Sequence, residues 1–491
     1  MRTVSLALLL LPLTGSAAVK SVSTVTELQA ALSSAKAGDE IVLEDGTYTV
    51  NANLSCSAEG TQAAPITVRA KNRHAAVVRF NALEGFKVSG RYWTFDGLTV
   101  EGICANDQNC EHAFHVTGHA ENFVLRNSRV RDFNSQLKAN ASQNGSGVWE
   151  MPHKGLIERN EIYDTRARAT STPVNKLNID TGDDWVVRDN EIHDFARQGG
   201  GIPYGAFMKS GGKRGLFERN RVLCVKDLPL TGANDTRIGL SFGGGGTGNQ
   251  FCAPAFDPAV PCSPEHTDGI IRNNIVANCS DVAVYLNKAA NTRVLFNTFV
   301  GTTGVDYRYA ASTGEAIGNV MSGPIRTRDS ATVTQSTNKS SVPTATFTSW
   351  YVDPLKGDLT LKGDVSAIGT GPRNALVPED FCGRARPATT TLGALEHSLG
   401  NCSASTGGGT DAGTGGGTDA GTGTTDAGVD AGTGGTPDAG TGGNPDAGSG
   451  PEKENPGNDE DEDGGCSASP GLLPALLMLL TPLALRRRAR R

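Results

Sequence analysis

Several classes of protein are excluded by what this chain of 491 residues lacks. Its central part shows no leucine-, methionine- or alanine-rich spacing of the kind that amphipathic helices require. No glycine-rich phosphate loop, dinucleotide fingerprint or serine–histidine–aspartate order of a hydrolase is present. These absences argue against a helical protein, a nucleotide-dependent enzyme and a serine hydrolase.

A surplus of basic charge is also missing. The formal net charge of −7 comes from the C-terminal tail, and residues 19–402 are close to neutral. A nucleic-acid-binding protein usually carries a basic patch or stripe, so we expect no nucleic-acid partner.

The 10 cysteines show no C-x-x-C pair and no cysteine–histidine spacing that would suit zinc. Three pairs lie close in sequence beside turn-rich loops and predict local disulfides: Cys104/Cys110, Cys252/Cys262 and Cys382/Cys402. The pairing of Cys56, Cys224 and Cys279 stays open, with one odd thiol among them.

Both ends of the chain predict export. Residues 1–18 have an arginine, an apolar run and a small-residue end, which is typical of a secretory signal peptide. Residues 403–465 repeat an Asp-Ala-Gly unit with almost nothing apolar, which predicts a disordered linker. Residues 466–491 join a cysteine, an apolar stretch and an arginine-rich end, which predicts a transmembrane segment with its arginines in the cytoplasm.

That last segment resembles the myxobacterial C-terminal sorting tag (MYXO-CTERM), on the strength of Gly465-Cys466, the apolar run and Arg486–Arg491. The resemblance implies a protein displayed at the cell surface or released outside the cell, and a sorting machinery as partner. An ordinary membrane anchor would give the same topology.

A repeated unit decides the predicted fold. An asparagine followed by an apolar strand recurs between residues 125 and 321, and the shortest spacings are 22 and 23 residues. Short strands of that period cannot bury an apolar face alone and must stack as a solenoid. Asparagine suits the slot because it tolerates left-handed turns and its amide can hydrogen-bond along the stack. The slots are Ser128, Asn160, Asn190, Asn220, Asn274, Asn297 and Asn319.

Residues 19–402 are therefore predicted to form one all-β domain, a right-handed parallel β-helix. An amphipathic stretch, Val25–Ala35, predicts a short N-terminal helix that caps the open end of the solenoid. We expect the protein to be a monomer.

Aligning the repeats brings a lysine into a polar column. Counting back seven or eight residues from the apolar residue before each asparagine gives Glu150, Asp180, Lys209 and Asn287, and Ser241 joins by pattern. Adjacent coils lie about 4.8 Å apart, so these side chains would form one row on a sheet.

Such a row suits cleavage of an acidic glycan by β-elimination. A base must remove the proton beside a uronate carboxylate, and a cation must neutralise that carboxylate. Lys209 is the predicted base, provided that its pKa lies well below the ordinary value of about 10.4. Calcium is the predicted cation, because carboxylate and amide oxygens are its preferred ligands. The predicted ligands are Glu150, Asn178, Asp180, Asp183 and Asp184.

Other side chains are predicted to contact the sugar. Tyr204 and Tyr285 could stack on sugar rings, and Arg214 could bind a carboxylate. Ser241 and Asn287 belong to the same column as Lys209 and are therefore also predicted to contact the sugar. A solvated surface ion pair is the competing interpretation of the whole column.

The chain resembles secreted pectin-lyase-like β-helix proteins, above all the chondroitinase B and alginate lyase family of polysaccharide lyases. The matching elements are the GTYTV strand, Ala64–Ala70, Trp93–Leu98 and the FMKSGG string around Lys209, which is also similar to calcium-dependent pectate lyases. The resemblance implies a lysine base at Lys209 and an arginine on the following coil. This chain has Leu240-Ser241-Phe242 there, with Arg237 nearby as the candidate, and no Glu-x-Glu pair before the lysine.

The sequence therefore predicts a calcium-assisted polysaccharide lyase acting on an acidic, uronate-containing polysaccharide. A non-catalytic carbohydrate-binding or adhesive surface protein is the alternative from another class. A uronate epimerase or a glycoside hydrolase on the same fold is a third, and the hydrolase would need two carboxylates about 5–10 Å apart.

Overall fold

The computed structural model describes residues 17–244, 247–364 and 366–402, which form a right-handed parallel β-helix. Each coil contributes one short strand to each of three long sheets, and neighbouring strands within a sheet come from successive coils. All pairings within these three sheets are parallel. The predicted fold class is confirmed.

The chain passes through the sheets in the order sheet 1, sheet 2, sheet 3. Sheet 1 contains Val19–Val22, Glu40–Leu43, Ile66–Ala70, Trp93–Asp96, Val124–Arg126, Leu156–Glu158, Val186–Arg188, Leu216–Glu218, Ile270–Arg272, Thr292–Leu295, Gly314–Ile317 and Thr334–Ser336. Sheet 2 contains Gly46–Val50, Ala76–Phe80, Thr99–Gly102, Arg129–Arg131, Glu161–Tyr163, Glu191–His193, Arg221–Leu223, Ile275–Ala277, Thr298–Val300 and Val320–Met321. Sheet 3 contains Leu54–Cys56, Glu84–Val88, His112–Thr117, Ser135–Asn140, Asn175–Ile179, Tyr204–Met208, Ile238–Gly243, Val284–Asn287, Val305–Arg308 and Ile325–Arg328.

Several shorter strands lie outside the three long sheets. Three of them form a parallel ribbon at the corner after sheet 3, and the others form three antiparallel hairpins outside the coils. The ribbon is Gly212–Lys213, His266–Thr267 and Ala289–Ala290; the hairpins are Ser142–Gln143 with Trp149–Glu150, Tyr351–Asp353 with Asp358–Leu361, and Thr370–Pro372 with Thr389–Thr391.

The asparagine slot is a continuous ladder between sheets 1 and 2. The Oδ1 atom of Asn220 accepts from both the backbone and the side-chain nitrogen of Asn190, and its own Nδ2 donates to Asn274 Oδ1 at 3.0 Å. The pattern runs from Ser128 to Asn319, as predicted, and continues to Asn338. These amides are buried, and the ladder gives hydrogen-bond partners to backbone and side-chain groups that would otherwise be unsatisfied inside the β-helix.

Caps cover the open end and one side of the solenoid. The N-terminal helix α1, Val25–Ser33, starts at a capping box formed by Thr24 and Glu27 and buries Leu28 and Leu32 over the first coil. It confirms the predicted cap and ends two residues earlier than predicted. The second helix α2, Thr344–Trp350, lies in a C-terminal segment that packs on the outer face of sheet 2.

Disulfides form at all three predicted pairs, and Cys224–Cys279 is a fourth, joining successive coils. The thiol of Cys56 is unpaired and buried, and burial raises its pKa. Within the described residues, no helix is long and apolar enough to cross a membrane. The predicted linker and C-terminal tag, and all but the last two residues of the predicted signal peptide, lie outside the described residues.

Candidate active site

The outer face of sheet 3 carries the polar row that contains Lys209. Leu177 and Ile179 point into the core, so Asn178 and Asp180 point outward. The register pairs Lys138 with Asn178 and Ile179 with Met208, which places Asp180 and Lys209 beside each other on successive coils. The predicted neighbourhood of Asp180 and Lys209 is therefore present.

Asp180 is shared between two lysines. Its Oδ1 lies 3.6 Å from Lys209 Nζ, and its Oδ2 accepts a hydrogen bond from Lys138 Nζ. Burial raises the pKa of Asp180, but the charges of Lys138 and Lys209 outweigh burial and hold that pKa below its ordinary value. Two ammonium groups therefore face one carboxylate, one at each of its oxygens.

The stem of Lys209 is enclosed on two sides. Its Nζ lies 5.0 Å from the centroid of the Phe207 ring, a cation–π distance. The next coil runs so close that a Cβ added at Gly244 would lie 3.0 Å from Lys209 Cδ. The lysine is thereby directed along the outer face of sheet 3.

Glu265 is a buried acid beside this lysine that the sequence did not identify. It follows the long insertion after Gly243, and Thr247 Oγ1 donates to its Oε2 at 3.4 Å. Burial raises the pKa of Glu265 to about 7, although the positive charge of Lys209 acts in the opposite direction. No repeat-based count could find it, because the insertion that carries it breaks the period.

A histidine extends the row toward the N-terminal end. His115 Nδ1 lies 2.5 Å from Glu84 Oε1, and His115 Nε2 lies 2.7 Å from Asn140 Oδ1. The hydrogen bond from His115 lowers the pKa of Glu84 to about 2. Lys138 and His115 had a usable signal in the sequence, namely the in–out alternation of the strands LKA and FHV.

The predicted calcium ligands are not brought together. Glu150 lies on an inserted hairpin, where its carboxylate contacts His119 Nδ1 at 2.9 Å and Asn144 Nδ2 at 3.0 Å. Asn140, the residue after Ala139, lies beside Asp180 at the position that was predicted for Glu150. Asp183 and Asp184 lie in the turn toward sheet 1, and both are paired with Arg214.

The donor set therefore does not fit calcium. The ion takes six to eight oxygen ligands and favours several carboxylates. Asn178 and Asp180 are the two predicted ligands that stay together, and both accept hydrogen bonds from Lys138. No group of three or more histidine, cysteine, aspartate or glutamate side chains in the described ranges could hold a metal ion.

Two further predictions are wrong for reasons of burial. Arg237 is fully buried; it pairs with Asp235 and donates to the carbonyl oxygens of Cys224, Leu228 and Pro229. Ser241 is also fully buried, and its hydroxyl donates to Tyr285 O at 2.7 Å. Neither side chain is presented to a substrate in this structure.

The remaining predicted sugar contacts divide between two faces. Tyr204, Tyr285 and Asn287 lie on sheet 3 with Lys209. The Tyr204 ring meets Phe207 edge to face at 5.5 Å, and the Oδ1 atom of Asn287 is buried with no hydrogen-bond partner among the described residues. Arg214 instead lines a cavity of about 530 Å³ beside sheet 1, with Arg272 and Arg293.

Two insertions meet beside the row. The Trp149 ring, on the hairpin after Asn140, stacks on Phe256 of the Cys252–Cys262 loop with ring centroids 4.6 Å apart. The loop is tied to the turn after Lys209, since Ala253 N donates to Ser210 O at 3.0 Å. The two insertions therefore lie next to each other at the edge of the outer face of sheet 3, beside the turn after Lys209.

Parts of this chain are similar to known proteins. Among curated proteins, none matches the chain. An alginate lyase from Paenibacillus sp. str. FPU-7 is 16% identical, with a TM-score of 0.36 and coverage of 66% of this chain and 96% of that one. Pectate lyase Pel9A is 15% identical, with a TM-score of 0.41 and coverage of 78% and 97%. A polysaccharide lyase of family PL6 from Pseudopedobacter saltans is 11% identical, with a TM-score of 0.33 and coverage of 70% and 96%. In sequence, residues 14–170 match the family described as the Pel9A-like, right-handed β-helix region.

Proposed function

We propose that this protein is a polysaccharide lyase that cleaves a uronate-containing glycan by β-elimination, with Lys209 as the base. The observation that carries the proposal is the lysine pair on one carboxylate, Lys138 and Lys209 on Asp180, on the outer face of sheet 3. The match of residues 14–170 to the Pel9A-like β-helix region supports the same class.

The chemistry needs no co-reactant. Lys209 Nζ takes the proton from the carbon that bears the carboxylate, and the electron pair left behind forms a double bond to the neighbouring carbon. The bond from that carbon to the glycosidic oxygen breaks, and the leaving oxygen is protonated by water, which recovers a proton when Lys209 is reset. An enclosed lysine stem keeps the amine in line with the sugar during this step.

The extended polar face of sheet 3 suits a polymer better than a small molecule. The polar face of sheet 3 runs along the axis of the β-helix from Glu84 to Arg328, so several sugar units could lie across successive coils. The proposed sugar contacts are Tyr204, on the same coil as Lys209, and Tyr285 and Asn287, two coils later. Surface display through the C-terminal tag would place this face where extracellular polysaccharide is found.

The assay follows the unsaturated product by its ultraviolet absorbance, with pectate, alginate and chondroitin-type polymers as substrates. We expect wild type to cleave at least one, and Lys209→Ala to lose at least about a hundredfold in rate, as general-base losses usually do. Lys71→Ala, which removes an ion-paired surface lysine of sheet 1, is the matched control and should leave the rate unchanged. An unchanged rate in Lys209→Ala would refute the proposed base.

A non-catalytic carbohydrate-binding protein is the second candidate, favoured by one observation. The coil after Lys209 presents Gly243 in the row, where the lyase family that the chain resembles has an arginine. Polymer binding by wild type with no cleavage of any of the three substrates would support this candidate.

A further inference from the structure

Lys138 lies in the row on the coil before Asn178, and its position is well defined. Its side chain is 14% exposed, and Nζ donates to Asp180 Oδ2 and, at 3.3 Å, to Asn178 Oδ1. The other oxygen of Asp180 faces Lys209. The ammonium group of Lys138 therefore occupies the oxygens that a cation would use.

The local charge also disfavours a bound dication. Lys138 and Lys209 together carry two positive charges, and Asp180 is the one carboxylate they share. Of the other acids nearby, Glu150 is paired with His119, and Asp183 and Asp184 are paired with Arg214. Glu265 lies beside Lys209, but burial raises its pKa to about 7, which favours its neutral form. Calcium would add two positive charges beside the ammonium group of Lys138, and at separations of a few ångströms such repulsion is large.

An anionic ligand meets the opposite situation. A uronate carboxylate beside Lys138 would be attracted by both lysines and could accept a charge-assisted hydrogen bond from Lys138 Nζ. The amide nitrogen of Asn178 is a second donor, because its oxygen is the atom that faces Lys138. The structure thus provides a fixed positive charge beside the base.

We propose that Lys138 neutralises the uronate carboxylate at this site in place of calcium, so that substrate binding and cleavage require no metal ion. This inference rests on the proposed lyase function. Lys138, which is hydrogen-bonded to Asp180 and Asn178, holds the carboxylate, while Lys209, which shares the same aspartate, acts as the base. Asp180 positions both lysines.

The test measures binding separately from cleavage. Trisaccharides of galacturonate and of alginate are titrated calorimetrically into the full chain carrying Lys209→Ala, so that they are not cleaved, in buffer with a chelator and in buffer with calcium. We expect the same affinity in both buffers. Adding Lys138→Gln should weaken binding about 10- to 100-fold, the usual loss for a charged hydrogen bond, and Lys138→Arg should retain most of it.

Controls separate the outcomes. Lys71→Ala in the same background should bind as tightly as its parent, and circular dichroism of the Lys138 variants should match that of wild type. Cleavage by wild type that is abolished by the chelator, or binding that is unchanged in Lys138→Gln, would refute the role of Lys138 and leave the lyase function standing. Binding that depends on Lys138 without cleavage would refute the lyase function and keep the carboxylate site. No binding of either trisaccharide in either buffer would refute both.

Discussion

Replacement of Glu265 by glutamine tests whether a buried acid lies beside Lys209. Glutamine keeps the size and the hydrogen-bonding capacity of the side chain but cannot ionise. The carboxyl group is 1% exposed, and its pKa of about 7 exceeds the ordinary value of 4.5 because burial disfavours the charged form. The folded state therefore holds this proton more tightly than the unfolded chain.

The sign of the effect follows from that difference. Between about pH 4.5 and pH 7 the unfolded chain has lost the proton and the folded protein has not, so the free energy of unfolding falls as the pH rises. The full difference between 4.5 and about 7 corresponds to about 3 kcal/mol. Relative to wild type, Glu265→Gln should therefore gain stability with increasing pH, by up to about 3 kcal/mol above pH 8.

Urea denaturation followed by circular dichroism at several pH values measures this gain. Glu315→Gln is the control, since that carboxylate forms a surface ion pair with Arg293, and its effect should change little with pH. The charge of Lys209 opposes the rise in the pKa of Glu265, so the gain should be larger in a Lys209→Ala background. A constant difference between Glu265→Gln and wild type from pH 4 to pH 9 would refute the burial argument. A pH dependence that Lys209→Ala leaves unchanged would show that the two groups are not neighbours.

Two further predictions concern the frame that holds the site. Asn220→Ala removes four hydrogen bonds of the buried ladder, so it should lower the free energy of unfolding by about 4 kcal/mol, at about 1 kcal/mol for each bond. The control is Asn81→Ala, at an exposed asparagine, which should lower the free energy of unfolding by less than about 1 kcal/mol in the same urea titration. Gly243→Ala should lower the melting temperature by several degrees, because the residue has a φ of +76° and a new Cβ would lie 1.8 Å from Asn287 O; Gly363→Ala, with nothing within 4 Å of its Cβ, should leave it nearly unchanged. If a variant and its control lost the same amount of stability, the structural reason given for that variant would be wrong.

The fold could be predicted from the sequence because its determinants are periodic. From Ser128 to Asn319, successive ladder positions are 22, 23, 30, 32 or 54 residues apart, and insertions lengthen a coil without moving the slot. The apolar residues on either side of the slot indicate which face of each strand points into the core of the β-helix. The ladder and the N-terminal cap were therefore accessible without coordinates.

The site was predictable only where no insertion intervenes. Counting back from the slot placed Asp180 and Lys209 beside each other, because the turns that follow them differ in length by only one residue. The same count gave Glu150 instead of Asn140, because the hairpin Ser142–Glu150 adds residues between the strand and the slot. Arg237 is an ordinary charged residue in the sequence, and only the structure shows that Asp235 and three carbonyl oxygens enclose it.

The conformation of Gly243 gives a physical reason for two lysines at this site. An arginine cannot stand at that position of the row, because the backbone there is left-handed and a Cβ would collide with Asn287 O. A positively charged side chain at the row position on the coil directly after Lys209 is thus excluded by the path of the chain itself. The structure places it on the N-terminal side, where Lys138 reaches across Asn178 to Asp180. The residue that can act as the second cation is therefore Lys138, which lies two coils before the base, and not a residue on the coil after it.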